Sequence, residues 1–196
     1  MKKRRLLPRP SLGTLLWVAV LGFVGYRIWP QLSAAVGVGE AGEAAPAFEL
    51  TTFSGEPVSL DALRGQVVLV NFWATWCPPC RVEMPGFQRV YESRRERGFT
   101  IVGISTDRGS TRQVIDFLEE RGITYPNAPA TAQVVRDYGH VRVLPTSFLI
   151  DRQGRIRHII RGFFAEPALA QAVDRLLAEP FADDGAVGPA PGEEVE

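Results

Sequence analysis

The sequence contains very little cysteine and histidine, and it has no excess of charge of either sign. Its 196 residues include two cysteines, Cys77 and Cys80, and two histidines, His140 and His158. There is no second cysteine pair and the histidines lack ligand spacing, so we predict neither a metal nor a cofactor. Because 22 basic residues balance 22 acidic ones, the whole chain shows no charge pattern typical of nucleic-acid binding.

Long apolar runs are scarce too, and the clearest one lies close to the N-terminus. Residues 1–10 carry five basic side chains and no acidic one, and residues 11–29 contain a single charge, at Arg27. Nineteen helical residues span roughly 28 Å, about the thickness of one hydrocarbon core. Positive charge before such a segment stays in the cytoplasm. We therefore predict a basic cytoplasmic N-terminus at 1–10 and a transmembrane signal-anchor at 11–29, with the rest exported. A signal peptide cleaved near Ser33-Ala34-Ala35 is the alternative.

The remaining residues divide by composition into a linker, a folded part and a tail. Residues 30–45 are rich in Ala, Gly and Val without a clear period, which is typical of a linker. A single folded domain is predicted at 46–180. Residues 181–196 contain five acidic side chains and no basic one, and we predict that this tail is disordered.

Both cysteines lie at the end of one stretch, Asn71–Cys80, between a predicted strand and a predicted helix. The apolar run 67–70 indicates a buried strand, and the apolar spacing within 81–97 indicates a helix. The unpaired N–H groups and the dipole at a helix N-terminus favour negative charge, including that of a thiolate. We therefore expect a lowered pKa for Cys77 and assign it as the nucleophile, with the more buried Cys80 as resolving thiol. A structural disulfide and half of a zinc site are the alternatives, although so short a disulfide loop removes little chain entropy.

Glu83 follows Cys80 by three residues, which places both side chains on one face of the predicted helix. A carboxylate beside a buried sulfur can carry a proton to or from it during exchange. The alternative is an ordinary solvated glutamate on the surface.

The order of the other predicted elements indicates the fold class. The expected elements are a hairpin around 54–57, a strand at 99–105, a helix at 113–121, an irregular segment at 123–131, a short helix at 132–138, a strand after Pro145, a returning strand at 155–161 and a helix at 166–178. Strands that alternate with helices and end in a hairpin imply an α/β fold with a mixed sheet.

Several motifs resemble those of a known family. They are Ala45–Leu50, Val70–Cys77, Trp-Cys-x-x-Cys at Trp76–Cys80, Arg81–Pro85, Leu144-Pro145-Thr146 and Phe148–Gly154. Over about residues 45–178 the chain resembles membrane-anchored bacterial thiol–disulfide oxidoreductases of the TlpA/ResA type, in the thioredoxin-like superfamily with an AhpC/TSA–redoxin-type domain. The resemblance implies a thioredoxin-like α/β fold. Its central mixed β-sheet is flanked by helices and preceded by an N-terminal hairpin extension and a transmembrane helix.

The same resemblance implies catalytic roles for four residues. Cys77 matches the attacking thiol and Cys80 the resolving thiol of a redox-active disulfide, and Glu83 matches a glutamate near those thiols. Pro145 matches a cis-proline that faces the disulfide and pairs with the substrate backbone. An ordinary trans proline at the strand edge is the alternative.

A substrate groove is implied around the same positions, lined by Trp76, Pro78, Leu144 and Thr146. His140 either lines this groove or lies on a partly exposed loop. The Pro-Pro dipeptide between the cysteines tunes the redox potential, for which we predict no value.

The implied activity is reduction of protein disulfides on the periplasmic or extracellular side of a bacterial cytoplasmic membrane. The implied clients are the haem-site cysteines of apocytochrome c or a copper-site protein of oxidase assembly, and the implied donor is a membrane thiol transporter of the CcdA/DsbD type. Alternatives are a disulfide-forming oxidant on the same fold, a peroxidase, and a copper-binding metallochaperone using Cys77, Cys80 and His140 or Met84. The peroxidase alternative is weakened because Thr75 precedes Cys77 by two residues instead of three.

Overall fold

The computed structural model describes residues 42–180. The predicted segments 1–10, 11–29 and 181–196, and most of the linker 30–45, lie outside the described residues. Within 42–180, no helix has both the length and the hydropathy that a membrane span requires.

The described chain forms seven strands, four α-helices and two 3-10 turns. In chain order they are β1 (Glu49–Thr51), β2 (Pro57–Ser59), a 3-10 turn (Asp61–Leu63), β3 (Val67–Trp73), α1 (Pro78–Arg94), a 3-10 turn (Arg95–Arg97), β4 (Phe99–Ser105), α2 (Thr111–Glu120), β5 (Asn127–Pro129), α3 (Ala132–Asp137), β6 (Thr146–Ile150), β7 (Ile156–Arg161) and α4 (Glu166–Ala178).

Five of the strands form a mixed sheet in the order β5-β4-β3-β6-β7. Strand β3 is parallel to β4 and antiparallel to β6, while β4 is parallel to β5 and β6 is antiparallel to β7. The predicted α/β fold with a central mixed sheet is therefore confirmed. Strands β1 and β2 form a separate antiparallel pair.

The central strand β3 is buried on both faces because alternate side chains enter two different cores. Val67, Leu69 and Trp73 pack with the apolar faces of α1, α2 and α4. The intervening apolar residues pack toward the hairpin and α3. Each fully buried aliphatic or aromatic side chain contributes about 1.5–3 kcal/mol. A one-residue slip of β3 would move every side chain into the opposite core, so the packing of both cores fixes the register. This register determines where the cysteine pair emerges at the end of β3.

Strand β5 lies in the segment 123–131 that the sequence analysis treated as irregular, so that prediction was wrong. The strand is three residues long, lies at the sheet edge and ends in Pro129. Gly103 N donates to Pro126 O at 2.9 Å and Ala130 N donates to Ser105 O at 2.8 Å. An edge strand tolerates proline because one of its sides needs no ladder bonds, and proline obscured the strand signal.

Two helices begin earlier than predicted, and one helix matches the prediction. Helix α1 begins at Pro78 instead of Arg81, because proline suits the first helical positions, where no N–H bond is needed. Helix α2 begins at Thr111 instead of Gln113. Helix α4 spans Glu166–Ala178 as predicted.

Candidate active site

A disulfide joins Cys77 and Cys80 at the start of α1, with their Cα atoms 5.3 Å apart. Cys77 is the N-cap residue, and its Sγ accepts a hydrogen bond from Cys80 N at 3.3 Å. A sulfur in this position lies at the positive end of the helix, where a thiolate is stabilised. The predicted placement of Cys77 at the helix start is confirmed. Both cysteines are buried, and Cys80 only slightly more so than Cys77.

The turn between β3 and α1 is held by Asp107, which follows β4. Its carboxylate accepts from Thr75 N at 2.9 Å and from Thr75 Oγ1 at 2.6 Å. Ser105 Oγ donates to the same carboxylate at 2.8 Å. The Thr75 hydroxyl is therefore bonded within the turn. The neighbouring Trp76 has 66% of its surface exposed.

Pro145 lies at the same end of the sheet as the cysteine pair. The register pairs Phe72, near the end of β3, with Thr146, the first residue of β6. The Leu144–Pro145 peptide bond is cis, which confirms that part of the prediction. Pro145 O accepts from Gly162 N at 2.8 Å, so the segment after β7 supports the proline from the other side.

Glu83 is buried, with 3% of its surface exposed, so the alternative of a solvated surface glutamate is wrong. Its Oε1 accepts from Asn71 Nδ2 at 3.2 Å, and its Oε2 accepts from Phe164 N at 3.0 Å. Burial penalises the charged form and raises the pKa of Glu83 to about 7, although the two hydrogen bonds oppose that rise. A carboxyl group with this pKa both gives up and accepts protons near neutral pH.

Two buried polar residues that were not predicted as site residues, Asn71 and Ser147, extend the hydrogen-bond network of Glu83. Asn71 and Ser147 face each other across β3 and β6, and Asn71 Nδ2 donates to Ser147 Oγ at 3.0 Å. Both are fully buried, and Asn71 Oδ1 has no hydrogen-bond partner among the described residues. An asparagine within the otherwise apolar run 67–73 was the signal that could have revealed this network.

Tyr125 is a third buried polar residue close to Glu83. Its hydroxyl has no hydrogen-bond partner within 42–180. Burial raises the pKa of Tyr125, and the charge of Glu83 raises it further. The phenol therefore stays protonated beside the carboxyl group.

The four predicted groove residues occupy two sides of the disulfide end of the sheet. Trp76 and Pro78 are exposed at the start of α1, whereas Leu144 is half-buried. Thr146 is buried and its Oγ1 donates to Val143 O at 2.8 Å. Thr146 nevertheless lines a surface groove of about 430 Å³ together with His140.

Large apolar side chains that are more than half exposed occur at four positions within 42–180. They are Trp76, Val82, Val143 and Phe163. Each of the four lies within two residues, along the chain, of a residue already described in the site. These site residues are Cys77, Cys80, Pro145 and Phe164, whose N–H donates to Glu83. We call these four side chains the apolar rim. Where such side chains lie together on the surface, they favour the binding of other proteins.

The copper-carrier alternative gains no support from the described part of the chain. Within it, no group of three or more histidine, cysteine, aspartate or glutamate side chains is arranged to hold a metal ion. His140 is exposed on the loop after α3, whereas Met84 is fully buried in the core.

Comparison with known proteins agrees with this geometry. A sequence profile of the AhpC/TSA family matches residues 41–159, more than half of the chain. The chain belongs to the AhpC/TSA family. Within the family it is similar to the thiol–disulfide oxidoreductase ResA of Bacillus thuringiensis. The two are 35% identical over 163 residues, which cover 83% of this chain and 91% of ResA.

Two further relatives support the assignment. The thioredoxin-like protein YneN of Bacillus subtilis is 33% identical over 83% of this chain and 96% of its own. A thiol:disulfide interchange protein of the thioredoxin family from Chlorobium tepidum has a solved structure that superposes with a TM-score of 0.66. The two are 35% identical, and the match covers 71% of this chain and all of that one. This family member therefore has the thioredoxin-like fold and is a thiol–disulfide oxidoreductase.

Proposed function

We propose that the chain works as a membrane-anchored reductase of protein disulfides on the outer side of the cytoplasmic membrane. The observation that carries this proposal is the Cys77–Cys80 disulfide at the N-terminus of α1, with the buried carboxyl group of Glu83 on the same helix. Exposed Trp76 beside Cys77, and exposed Val143 two residues before Pro145, favour a polypeptide over a small molecule as substrate.

The proposed reaction passes two electrons from the reduced cysteine pair to a client disulfide. The Cys77 thiolate attacks one client sulfur, the client S–S bond breaks, and the other client sulfur leaves as a thiolate that takes up a proton. Cys80 then loses its proton and attacks Cys77 Sγ, which releases the second client thiolate. The client gains two thiols, and Cys77 and Cys80 end as the disulfide.

Glu83 is proposed to accept the proton that Cys80 loses in the second step. The group is suited to this because its pKa of about 7 leaves much of it ionised at neutral pH, yet readily protonated. Asn71 Nδ2 and Phe164 N hold the carboxylate in one position on the helix that carries Cys80.

The placement outside the cytoplasm rests on the sequence of residues 1–29. Five basic side chains precede an apolar run long enough to span a bilayer, which is the pattern of a signal-anchor with its N-terminus inside. In that location the oxidised protein needs electrons from across the membrane. A thiol transporter of the CcdA/DsbD type is the proposed donor, and apocytochrome c or a copper-site protein is the proposed client.

The test is to measure the reduction potential of the Cys77–Cys80 pair against glutathione redox buffers. A potential near that of thioredoxin, roughly −270 mV, is expected of a reductase. A potential near that of a strong oxidant, roughly −120 mV, would show that the pair forms disulfides in its clients.

The client can be identified by trapping. A Cys80→Ser variant cannot complete the second step, so the mixed disulfide with Cys77 should accumulate in cells and be identified by mass spectrometry. A matched Cys77→Ser variant lacks the attacking thiol and should trap nothing through this route. Equal trapping by both variants would contradict the assignment of Cys77 as the attacking residue.

A further inference from the structure

A surface groove of about 430 Å³ opens directly beside the cis-proline. Thr146, the residue after Pro145, lines it, and Arg161 is the register partner of Thr146 on the neighbouring strand β7. His140 and Arg142, on the loop after α3, form another part of its wall. The groove therefore lies where a polypeptide that contacts the disulfide and Pro145 would continue.

The charge lining this groove has one sign. Arg142 and Arg161 are both exposed, and no acidic side chain of the described chain lines the groove. Neither arginine forms an ion pair within residues 42–180, whereas Arg64, Arg94 and Arg157 each pair with a nearby carboxylate. Two unneutralised guanidinium groups at one groove form a site for carboxylates, since the planar guanidinium fork matches a carboxylate.

His140 is held in this wall by an unusual backbone conformation. Its φ of 54° lies in the left-handed region, and it is the one non-glycine residue among those described with a positive φ. It follows Gly139, which has a φ of 82° and lies two residues after the end of α3. A left-handed conformation is unfavourable for a side-chain-bearing residue, and such outliers often occur where a binding surface needs a particular side-chain position.

We propose that this surface, formed by His140, Arg142 and Arg161 and called here the arginine groove, binds a carboxylate-bearing segment of the client polypeptide next to its disulfide. The inference rests on the proposed reductase function and narrows it to clients with acidic residues near the target cysteines. The apolar rim would contact apolar flanking residues, and the arginine groove would select among clients by charge.

A protein client fits the groove better than an anionic lipid headgroup. Thr146 and Val143, which flank the proline of the redox site in the chain, both line the groove. A client bound at Pro145 can therefore extend into the groove, whereas a lipid headgroup has no reason to lie beside the redox site.

The experiment uses the full-length chain and two matched peptides. Each peptide contains one intramolecular disulfide, and the peptides differ only in carrying glutamate or lysine at the flanking positions. The initial rate of reduction by the reduced protein is measured at low and high salt. We expect about a fivefold preference for the acidic peptide, because exposed charge pairs contribute modestly, and a smaller preference at high salt.

Three variants test whether the arginine groove causes the preference for the acidic peptide. An Arg142→Glu/Arg161→Glu double variant should reverse the preference. An Arg95→Glu variant should retain it, because Arg95 is exposed at the far end of α1 and has no ion pair among the described residues. A His140→Gly variant removes the imidazole while suiting the left-handed backbone, so it should weaken the preference without loss of thermal stability.

Binding is measured separately from chemistry, with peptides in which serine replaces both cysteines and with Trp76 fluorescence as the signal. Tighter binding of the acidic peptide by the wild type, lost in the double variant, supports the groove. Equal binding of both peptides overturns the proposed groove, even if reduction proceeds.

If the acidic peptide binds but neither disulfide peptide is reduced, the proposed reductase function fails. Binding to phosphatidylglycerol vesicles that is lost in the double variant, without any peptide preference, would assign the groove to lipid and overturn the proposal.

Discussion

Glu83 combines a cost in stability with the proton-transfer role proposed for it. Removing a carboxylate from water is unfavourable, and two hydrogen bonds recover only part of that loss. The result is a pKa of about 7 in place of 4.5. The ionised, buried Glu83 carboxylate destabilises the native state at high pH. The raised pKa can therefore be measured through the pH dependence of unfolding.

The first prediction concerns stability as a function of pH. Between pH 4.5 and 7, native Glu83 keeps a proton that the unfolded chain has lost, so the free energy of unfolding falls as pH rises through this window. The rise in the pKa of Glu83 from 4.5 to about 7 corresponds to about 3 kcal/mol in the free energy of unfolding. A Glu83→Gln variant should therefore be more stable than wild type at pH 8 by up to about that amount, and similar to wild type at pH 4.5.

Urea unfolding of the oxidised protein at several pH values measures this difference. A Glu119→Gln variant is the matched control, because Glu119 is exposed on α2 and its replacement should leave the pH dependence unchanged. Parallel curves for Glu83→Gln and wild type would contradict a raised pKa for Glu83.

The second prediction concerns Asn71, which positions Glu83. Its Nδ2 donates to Glu83 Oε1 and so favours the ionised carboxylate. An Asn71→Ala variant should raise the pKa of Glu83 further, and the pH midpoint of client reduction should move upward by about one pH unit. A Ser147→Ala variant leaves the Asn71–Glu83 bond in place and should shift the midpoint less. A merely structural role for Asn71 would lower the rate equally at every pH.

At the level of elements, Gly103 of β4 lies between Asn71 of β3 and Asn127 of β5. A Cβ atom added at Gly103 would lie 2.0 Å from Asn127 Oδ1 and 3.0 Å from Trp73 Nε1. Those two groups form a hydrogen bond of 3.0 Å from the indole to the amide. Glycine is therefore required here for close packing and not for its backbone freedom.

The third prediction is that Gly103→Ala breaks the Trp73–Asn127 bond and loosens β5. We expect a loss of about 2–3 kcal/mol in the free energy of unfolding, typical of overpacking a dense core. Urea unfolding followed by tryptophan fluorescence measures it. Gly109→Ala is the control, because an added Cβ there meets its nearest neighbour at an ordinary 3.6 Å. Similar losses in both variants would contradict the packing argument.

The proposed membrane orientation concerns the whole molecule and rests on residues 1–29. A positively charged N-terminus and one apolar run would leave the redox domain outside the cytoplasm, in a compartment where disulfides persist.

The fourth prediction is that alkaline phosphatase fused after Glu196 is active in cells and remains with the membrane after carbonate extraction. Alkaline phosphatase needs disulfides and so reports export. Deleting residues 11–29 should leave the fusion inactive in the cytoplasm. Recovery of a soluble, active fusion that begins just after Ala35 would contradict the signal-anchor and support a cleaved signal peptide.

Those parts of the site encoded in a continuous stretch of chain were predictable. The apolar run of β3, Cys77 at the helix start and the amphipathic α4 follow from side-chain periodicity and helix capping, which depend on neighbours within one or two turns. The cis conformation at Pro145 came from the family resemblance. Strand β5 escaped prediction because its pairing with β4 depends on distant residues, and its prolines hide the pattern.

The sequence by itself determined the order of elements except for β5, and also the cysteine pair and its place at a strand–helix junction, since local patterns specify these. Only the tertiary structure decided that Glu83 is buried and that Asn71 and Ser147 meet beside it across two strands. It likewise brought Arg142 and Arg161, from a loop and an edge strand, to one groove. The physical reason is that burial, pKa and charge clustering depend on which distant segments pack together, and sequence spacing does not record that.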